Sequence, residues 1–187
     1  MTDTLAPYPQ MRASGLDWLG DIPAHWEVRR AKYSFFESDE RSETGEEELL
    51  SVSHKTGVTP RSQKNVTMFK AESYIGHKLA RPGDIAVNTM WAWMAALGVS
   101  RDVGIVSPSY GVYLPRPYAQ FEGRFLDYLL RTELYRAEYI RRSRGITVSV
   151  VWTARLFQLD GVKFHGSRSS MRFLGCPAAI ASRVALR

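Results

Sequence analysis

The sequence predicts one domain in which short β-strands form the centre and helices pack against them. Apolar runs between residues 84 and 115 are typical of strands, with Ile85 and Val87 on one side of a two-residue alternation. Apolar residues at helical spacing follow, from Glu122 to about Ser143. A chain of 187 residues is long enough to bury a core of this kind as one domain.

The strands and turns of this domain are predicted from local residue chemistry. Proline at position 82 presets one backbone angle and Gly83 supplies the positive φ of a type II turn, which would lead into the first central strand. Residues 31–41 are predicted to be helical, with Tyr33 and Phe36 facing inward and Phe35 as a further inward candidate. The predicted strands cover residues 26–30, 49–53, 84–89, 94–99, 104–106 and 110–114.

The helix predicted from Glu122 to about Ser143 is the clearest single element. Its apolar stripe comprises Leu126, Leu129, Leu130, Leu134, Ala137 and Ile140, and the opposite face carries Arg131, Tyr135, Glu138 and Arg142. Glu138 and Arg142 are spaced for an i,i+4 ion pair. Gly145 is the expected C-terminal stop.

The two ends of the chain differ in composition from its middle. Residues 6–30 are rich in Pro, Gly and Trp, and we expect an irregular segment held to the body by burial of Trp18, Leu19, Ile22 and Trp26. The stretch after Gly161 has neither periodicity nor turn chemistry, so we expect it to pack poorly. The sequence therefore predicts a domain over residues 1–160 and a divergent basic tail over 161–187.

Charge and composition exclude some classes of protein but do not decide the partner. The net charge is +6 and the pI about 9.6, but five basic residues and no acid follow Asp160, so residues 1–160 carry only +1. No apolar run approaches the roughly 20 residues that span a bilayer. The N-terminus lacks the basic and apolar regions of a secretory signal. The single cysteine, Cys176, excludes an internal disulfide and suits the cytoplasm.

Residues that could carry catalysis or hold a cofactor are scattered. The four histidines have no metal-ligand spacing, and there is no glycine-rich nucleotide loop and no nucleophile motif. Asp84 and Glu72 are the nearest pair of carboxylates for a metal nuclease, although Asp84 is explained more simply as a turn residue. We therefore expect no catalytic residue, no metal and no cofactor on this chain.

Two stretches carry side chains suited to DNA. Residues 54–65 contain cations and no acid, so they are either a solvated loop or a loop that contacts phosphates. Residues 88–93 combine an amide with two tryptophans, which suits either a base-reading surface or a corner of the core. Three cations near the end of the predicted helix, Arg141, Arg142 and Arg144, either contact phosphates or only offset the negative end of the helix dipole. The candidate DNA contacts are Lys55, Arg61, Lys64, Asn65, Asn88, Trp91, Trp93, Arg101, Tyr110, Arg142 and Arg144.

Several segments in order resemble one known family. They read SGLDWLGDIPAHWEVRRAKYSF (14–35), LLSVSHKTGV (49–58), PGDIAVNTMWAWMAALGVS (82–100), GIVSPSYGVYLP (104–115) and FLDYLLRTELYR (125–136). Together these segments are similar to the target recognition domain of type I restriction–modification specificity (S) subunits. The resemblance covers about residues 7–160.

The resemblance implies an α/β (α+β) fold with a twisted mixed or antiparallel sheet and surrounding helices. It implies a non-catalytic protein that reads one half of a split double-stranded DNA target. Such subunits hold methyltransferase (M) subunits, and restriction (R) subunits join the complex; S-adenosylmethionine, ATP and Mg²⁺ belong to those partners. The family varies its base-reading residues, so the resemblance assigns none of the candidate contacts.

The chain departs from the family pattern after about Thr153. A proline-rich strand, an acidic Glu-Gln start and a long spacer helix are expected there, and residues 154–187 contain none of them. This departure favours a truncated gene, which would put docking of the methyltransferase subunit in doubt. The alternatives are a stand-alone DNA-binding or interaction module and an inactive remnant.

Overall fold

The computed structural model describes residues 8–64, 73–119, 121–143 and 160–164. These residues form short strands, two α-helices and three single turns of 3₁₀ helix, at 31–33, 61–63 and 92–94. The helices are α1 (Gly123–Leu130) and α2 (Glu133–Arg142). The strands are β1 (Met11–Ala13), β2 (Asp21–Pro23), β3 (Trp26–Arg30), β4 (Phe35–Ser38), β5 (Leu50–Ser53), β6 (Gly57–Pro60), β7 (Lys78–Ala80), β8 (Ile85–Val87), β9 (Leu97–Val99), β10 (Gly104–Val106), β11 (Gly111–Pro115) and β12 (Asp160–Phe164).

A four-stranded antiparallel sheet of order β4-β11-β8-β9 lies at the centre. The turn that leads into β8 has the predicted type II form, because Asp84 N–H donates to the Arg81 carbonyl (3.0 Å) and Gly83 has φ of 99°. The Asp84 carboxylate also accepts from the backbone N–H of Arg81 (2.8 Å). The predicted strand positions over residues 84–115 are confirmed: β8 and β9 are shorter than predicted, β10 has the predicted bounds, and β11 is shifted by one residue.

Both faces of this sheet are buried, each against a different layer. Alternation along β8 sends Ile85 and Val87 into a core shared with α1, α2 and the N-terminal segment, while Ala86 faces the opposite way. On that opposite side Ala86 and Val112 meet the hairpin β5–β6 and the pair β7–β10. The sheet is therefore the middle layer of the domain, and the hairpin is its outer cover.

The predicted single helix is two helices, which corrects the sequence analysis. The chain leaves helical geometry at Arg131 (φ −106°, ψ 8°) and α2 starts after Thr132, whose hydroxyl donates to the Leu129 carbonyl (2.8 Å). The break changes which residues face inward. Tyr135 and Glu138 are buried, although they were placed on the outer face, and Ile140 is exposed.

Residues 31–41 are not helical, which is a second correction. A single 3₁₀ turn at 31–33 leads into β4, which pairs with β11 at the edge of the sheet. Of the three aromatic residues named for this segment, Phe35 faces the core, whereas Tyr33 and Phe36 are exposed. Sheet pairing with a strand some 80 residues away prevails here over the local helical spacing.

The N-terminal segment is anchored to the core by the apolar residues that the sequence predicted. Leu19, Ile22 and Trp26 are buried, and Trp18 packs edge-on against Tyr135 at 5.1 Å between ring centroids. The backbone of β12 (Asp160–Phe164) pairs with β3, so β12 extends past residue 160, where the sequence predicted the domain to end. The division into a domain over 1–160 and a tail over 161–187 stays a prediction. Within the described residues, no helix is both long and apolar enough to cross a membrane.

Candidate nucleic-acid interface

One third of the stretch predicted as a polar loop, residues 57–60, is the second strand of a hairpin. Leu50 pairs with Pro60 and Ser53 with Gly57, so a turn at residues 54–56 closes β5 and β6. Lys55 lies in that turn, and Arg61 follows the far end of β6. At about 3.3 Å per residue the two cations are separated by ~13 Å of strand. The structure therefore divides the predicted basic loop into two ends.

At the open end of the hairpin, Arg61 lies near Tyr110, and Lys64 reaches Ser51 on β5. The backbone N–H of Arg61 donates to the Leu49 carbonyl (2.8 Å), and Lys64 Nζ donates to Ser51 Oγ (3.0 Å). Partial burial lowers the pKa of Lys64. Burial raises the pKa of Tyr110, and the positive charge of Arg61 opposes that rise. This end of the hairpin thus carries two cations, one bonded to a serine hydroxyl and one near a phenol, which suits contacts to phosphate oxygens.

At the closed end, the backbone of the Lys55 turn is anchored while its side chain is exposed. Arg131 donates to the Lys55 carbonyl (3.2 Å) and pairs with Asp127 (2.5 Å). Asp127 also accepts from the backbone N–H of Val99 (3.0 Å), an edge position of the sheet. Helix α1, β9 and the hairpin turn are therefore joined through one buried carboxylate.

Glycines allow this close approach. A Cβ on Gly98 would lie 2.5 Å from Asp127 Oδ1 and 3.1 Å from the Cα of Gly57. The sequence analysis missed Asp127, Arg131 and Ser51. The i,i+4 spacing of Asp127 and Arg131 was a usable signal for their pair, but the contact to Lys55 was not foreseeable from local sequence.

Residues 88–93 form a turn in which some side chains are buried and others are exposed. Asn88 is only 7% exposed, and its amide nitrogen lies 3.5 Å from the Val52 carbonyl, so we do not place it on the interface. Trp91 is half-exposed and stacks on the partly buried Trp93, with ring centroids 6.1 Å apart. The hydroxyl of Thr89 donates to the Ser109 carbonyl (2.8 Å), which joins this turn to the one that precedes Tyr110.

The remaining candidates differ in whether their charge is neutralised. Arg142 pairs with Glu138, as its spacing predicted, and Arg141 pairs with the same carboxylate (2.6 Å). Hydrogen bonds from Arg141 and Arg142 hold the pKa of Glu138 below its ordinary value. Arg101 is exposed on the loop after β9. In the described parts of the chain, Lys55, Arg61, Lys64 and Arg101 form no ion pair.

Two candidates, Asn65 and Arg144, lie outside the described residues, as does Glu72. Among the residues that are described, no group of three His, Cys, Asp or Glu could hold a metal ion. Asp84 closes its turn as expected, and burial raises the pKa of its carboxyl.

Comparisons with known proteins bear on the fold. No family model matches the sequence, and no curated protein matches it. A chain from a structure that explains complex assembly and conformational transition in a type I R-M (restriction–modification) system matches with a TM-score of 0.54 and 17% identity. The match covers 94% of this chain and 42% of that chain. The fold is that of a recognition domain from a type I R-M specificity subunit.

A second solved structure that matches is the HsdS subunit from Thermoanaerobacter tengcongensis, with a TM-score of 0.49 and 15% identity. The match covers 94% of this chain and 41% of the HsdS chain. This chain thus spans about two fifths of the length of the solved chains it matches. The mixed α/β fold with antiparallel sheets that the resemblance implied is confirmed.

Proposed function

We propose that this chain recognises double-stranded DNA in a sequence-specific way, as the specificity subunit, or half of one, of a type I restriction–modification complex. The observation that carries the proposal is the fold match over 94% of the chain. The cations at both ends of the hairpin β5–β6 support it, because they form no ion pair with a described residue and phosphate contacts need positive charges that no carboxylate has already neutralised.

In this proposal the chain is non-catalytic. It binds one half of a split target and positions methyltransferase subunits, with restriction subunits joining through the complex. Lys55, Arg61, Lys64 and Arg101 contact phosphates, and Tyr110 lies near Arg61 in the same interface. S-adenosylmethionine, ATP and Mg²⁺ are bound by the partner subunits.

The test begins with selection of bound sequences from a random duplex library by the full chain. We expect enrichment of one short sequence. The double variant Arg61→Ala/Lys64→Ala should bind a random-sequence duplex more weakly. The slope of log affinity against log salt should fall by about two, because two phosphate contacts are lost.

The matched control is Arg81→Ala/Arg136→Ala, which removes two exposed arginines that are paired with Glu40 and Glu133. We expect this control to keep the wild-type salt slope. Equal slopes for both double variants would remove the hairpin end from the interface. Failure of the wild-type chain to bind any duplex at low salt would contradict the proposed function itself.

A further inference from the structure

The turn over residues 88–95, here called the tryptophan turn, projects two large apolar side chains into solvent. Met90 is 56% exposed and Trp91 50%, although Thr89 and Ala92 on either side are buried. Trp93 stacks on the Trp91 ring with an interplanar angle of 24°. One side of the indole is thus supported by protein while half of the side-chain surface remains available to a ligand.

The backbone beneath these side chains is tightly fixed. Trp91 N–H donates to the Asn88 carbonyl (3.0 Å), and the Trp91 carbonyl accepts from Met94 (2.9 Å) and Ala96 (3.2 Å). Ala95 adopts φ of 61°, a left-handed conformation that favours glycine. Such strain concentrates at binding sites, where the surrounding structure holds it in place. Rigid presentation reduces the entropy lost when an aromatic side chain docks.

The tryptophan turn is continuous with the cationic end of the hairpin. Thr89 is bonded to Ser109, the residue before Tyr110, and Arg61 is near enough to Tyr110 to affect its titration. A ligand that engaged Arg61 and Trp91 together would need negative charge and a flat apolar face in close succession. A nucleic-acid strand supplies both in each nucleotide.

We propose that the tryptophan turn is a stacking wedge, in which Trp91, flanked by Met90, inserts against a base at an opened step of the bound duplex. Apolar side chains used in this way unstack and kink DNA, and stacking on an indole tolerates any base. This inference rests on the proposed function, because it needs the cations to hold the duplex backbone.

The experiment measures affinity of the full chain for two duplexes of the same random sequence, one fully paired and one with a two-base mismatched bubble. A wedge favours the bubble, since the cost of unstacking is already met in the free DNA. We expect about tenfold tighter binding to the bubble, which corresponds to stacking on one base. Trp91→Ala should reduce that preference to less than twofold, and Trp91→Phe should retain part of it.

The control is Tyr118→Ala, which removes another exposed aromatic side chain (58% exposed), from the segment after β11. It should leave the bubble preference unchanged. Equal thermal midpoints for the three variants and wild type show that folding is intact. A bubble preference that survives in Trp91→Ala, or is absent from the wild type while duplex binding persists, overturns the wedge alone. Absence of all duplex binding overturns the wedge together with the proposed function.

Discussion

Basic side chains are used in two different ways in this domain. On α2, and in and just after strands β4 and β7, cations are held by carboxylates. The pairs there are Arg41–Asp39, Lys78–Glu37, Lys78–Asp39, Arg81–Glu40, Arg136–Glu133, Arg141–Glu138 and Arg142–Glu138. At the two ends of the hairpin β5–β6, Lys55, Arg61 and Lys64 form no ion pair with any described residue.

This difference matters more than the net charge does. An arginine that is already paired must break its own hydrogen bonds before it can contact a phosphate, so its contribution to DNA affinity is reduced. An unpaired cation exchanges only water and counterions. The distribution of carboxylates therefore separates structural arginines from candidate phosphate contacts on a domain whose overall charge is nearly neutral.

The largest expected effect is on stability, and it comes from Asp127, which joins helix α1, strand β9 and the hairpin turn. Asp127→Ala removes a buried carboxylate that Arg131 and the Val99 N–H both use, so we expect a loss of about 3 kcal/mol in the free energy of unfolding. Urea denaturation at neutral pH measures it. The control Glu133→Ala breaks an exposed pair near a helix start and should cost less than about 1 kcal/mol. Similar losses of unfolding free energy in both variants would mean that the buried pair Asp127–Arg131 contributes no more stability than the exposed pair Glu133–Arg136.

An intermediate effect is expected at Glu138, with a dependence on pH. Its pKa in the folded state lies below the ordinary value of 4.5, so its pair with Arg141 and Arg142 stabilises the protein fully above pH 4.5. That stabilisation is lost as pH falls through the folded-state pKa. Glu138→Gln should cost about 1 to 3 kcal/mol at neutral pH.

The decisive readout for Glu138 is the difference between wild type and variant as the pH is lowered. Because the variant has no carboxylate to titrate there, the gap between the two free energies of unfolding should narrow in acid. A gap that stays constant from neutral pH into the acid range would show that the ion pair contributes no stability through its charge.

Local chemistry was enough to predict the central strands, but not the elements that depend on distant partners. The Pro82–Gly83 turn and the strands around it follow from residue preferences within a few positions. The break at Arg131–Thr132 does not, because an apolar stripe continues across it and only the structure reveals that Tyr135 and Glu138 are buried. Strand β4 depends on pairing with β11, whereas Tyr33 in the preceding turn and Phe36 in the strand have helical spacing.

The candidate site shows the same limit. Residue types indicated which side chains could contact DNA, and the pair of Glu138 with Arg142 was predictable because it is local. The pair of Arg81 with Glu40 joins residues 41 positions apart, so no local pattern separates Arg81 from Arg61. Which cations remain unpaired is decided by the folded chain, as is the burial of Asn88 beside exposed Trp91.

The smallest expected effect tests whether the two ends of the hairpin act independently. Lys55 and Arg61 are separated by ~13 Å of strand and share no hydrogen-bond partner among the described residues, so their contributions to duplex affinity should add within about 0.5 kcal/mol. Each single alanine variant should lower the salt slope by about one, and the double variant by about two. A silent Lys55→Ala would restrict the interface to the end that carries Arg61 and Lys64. Strong coupling between the two substitutions would instead mean that the duplex contacts the hairpin through a shared rearrangement, because no hydrogen bond or ion pair in the described part of the chain links these side chains.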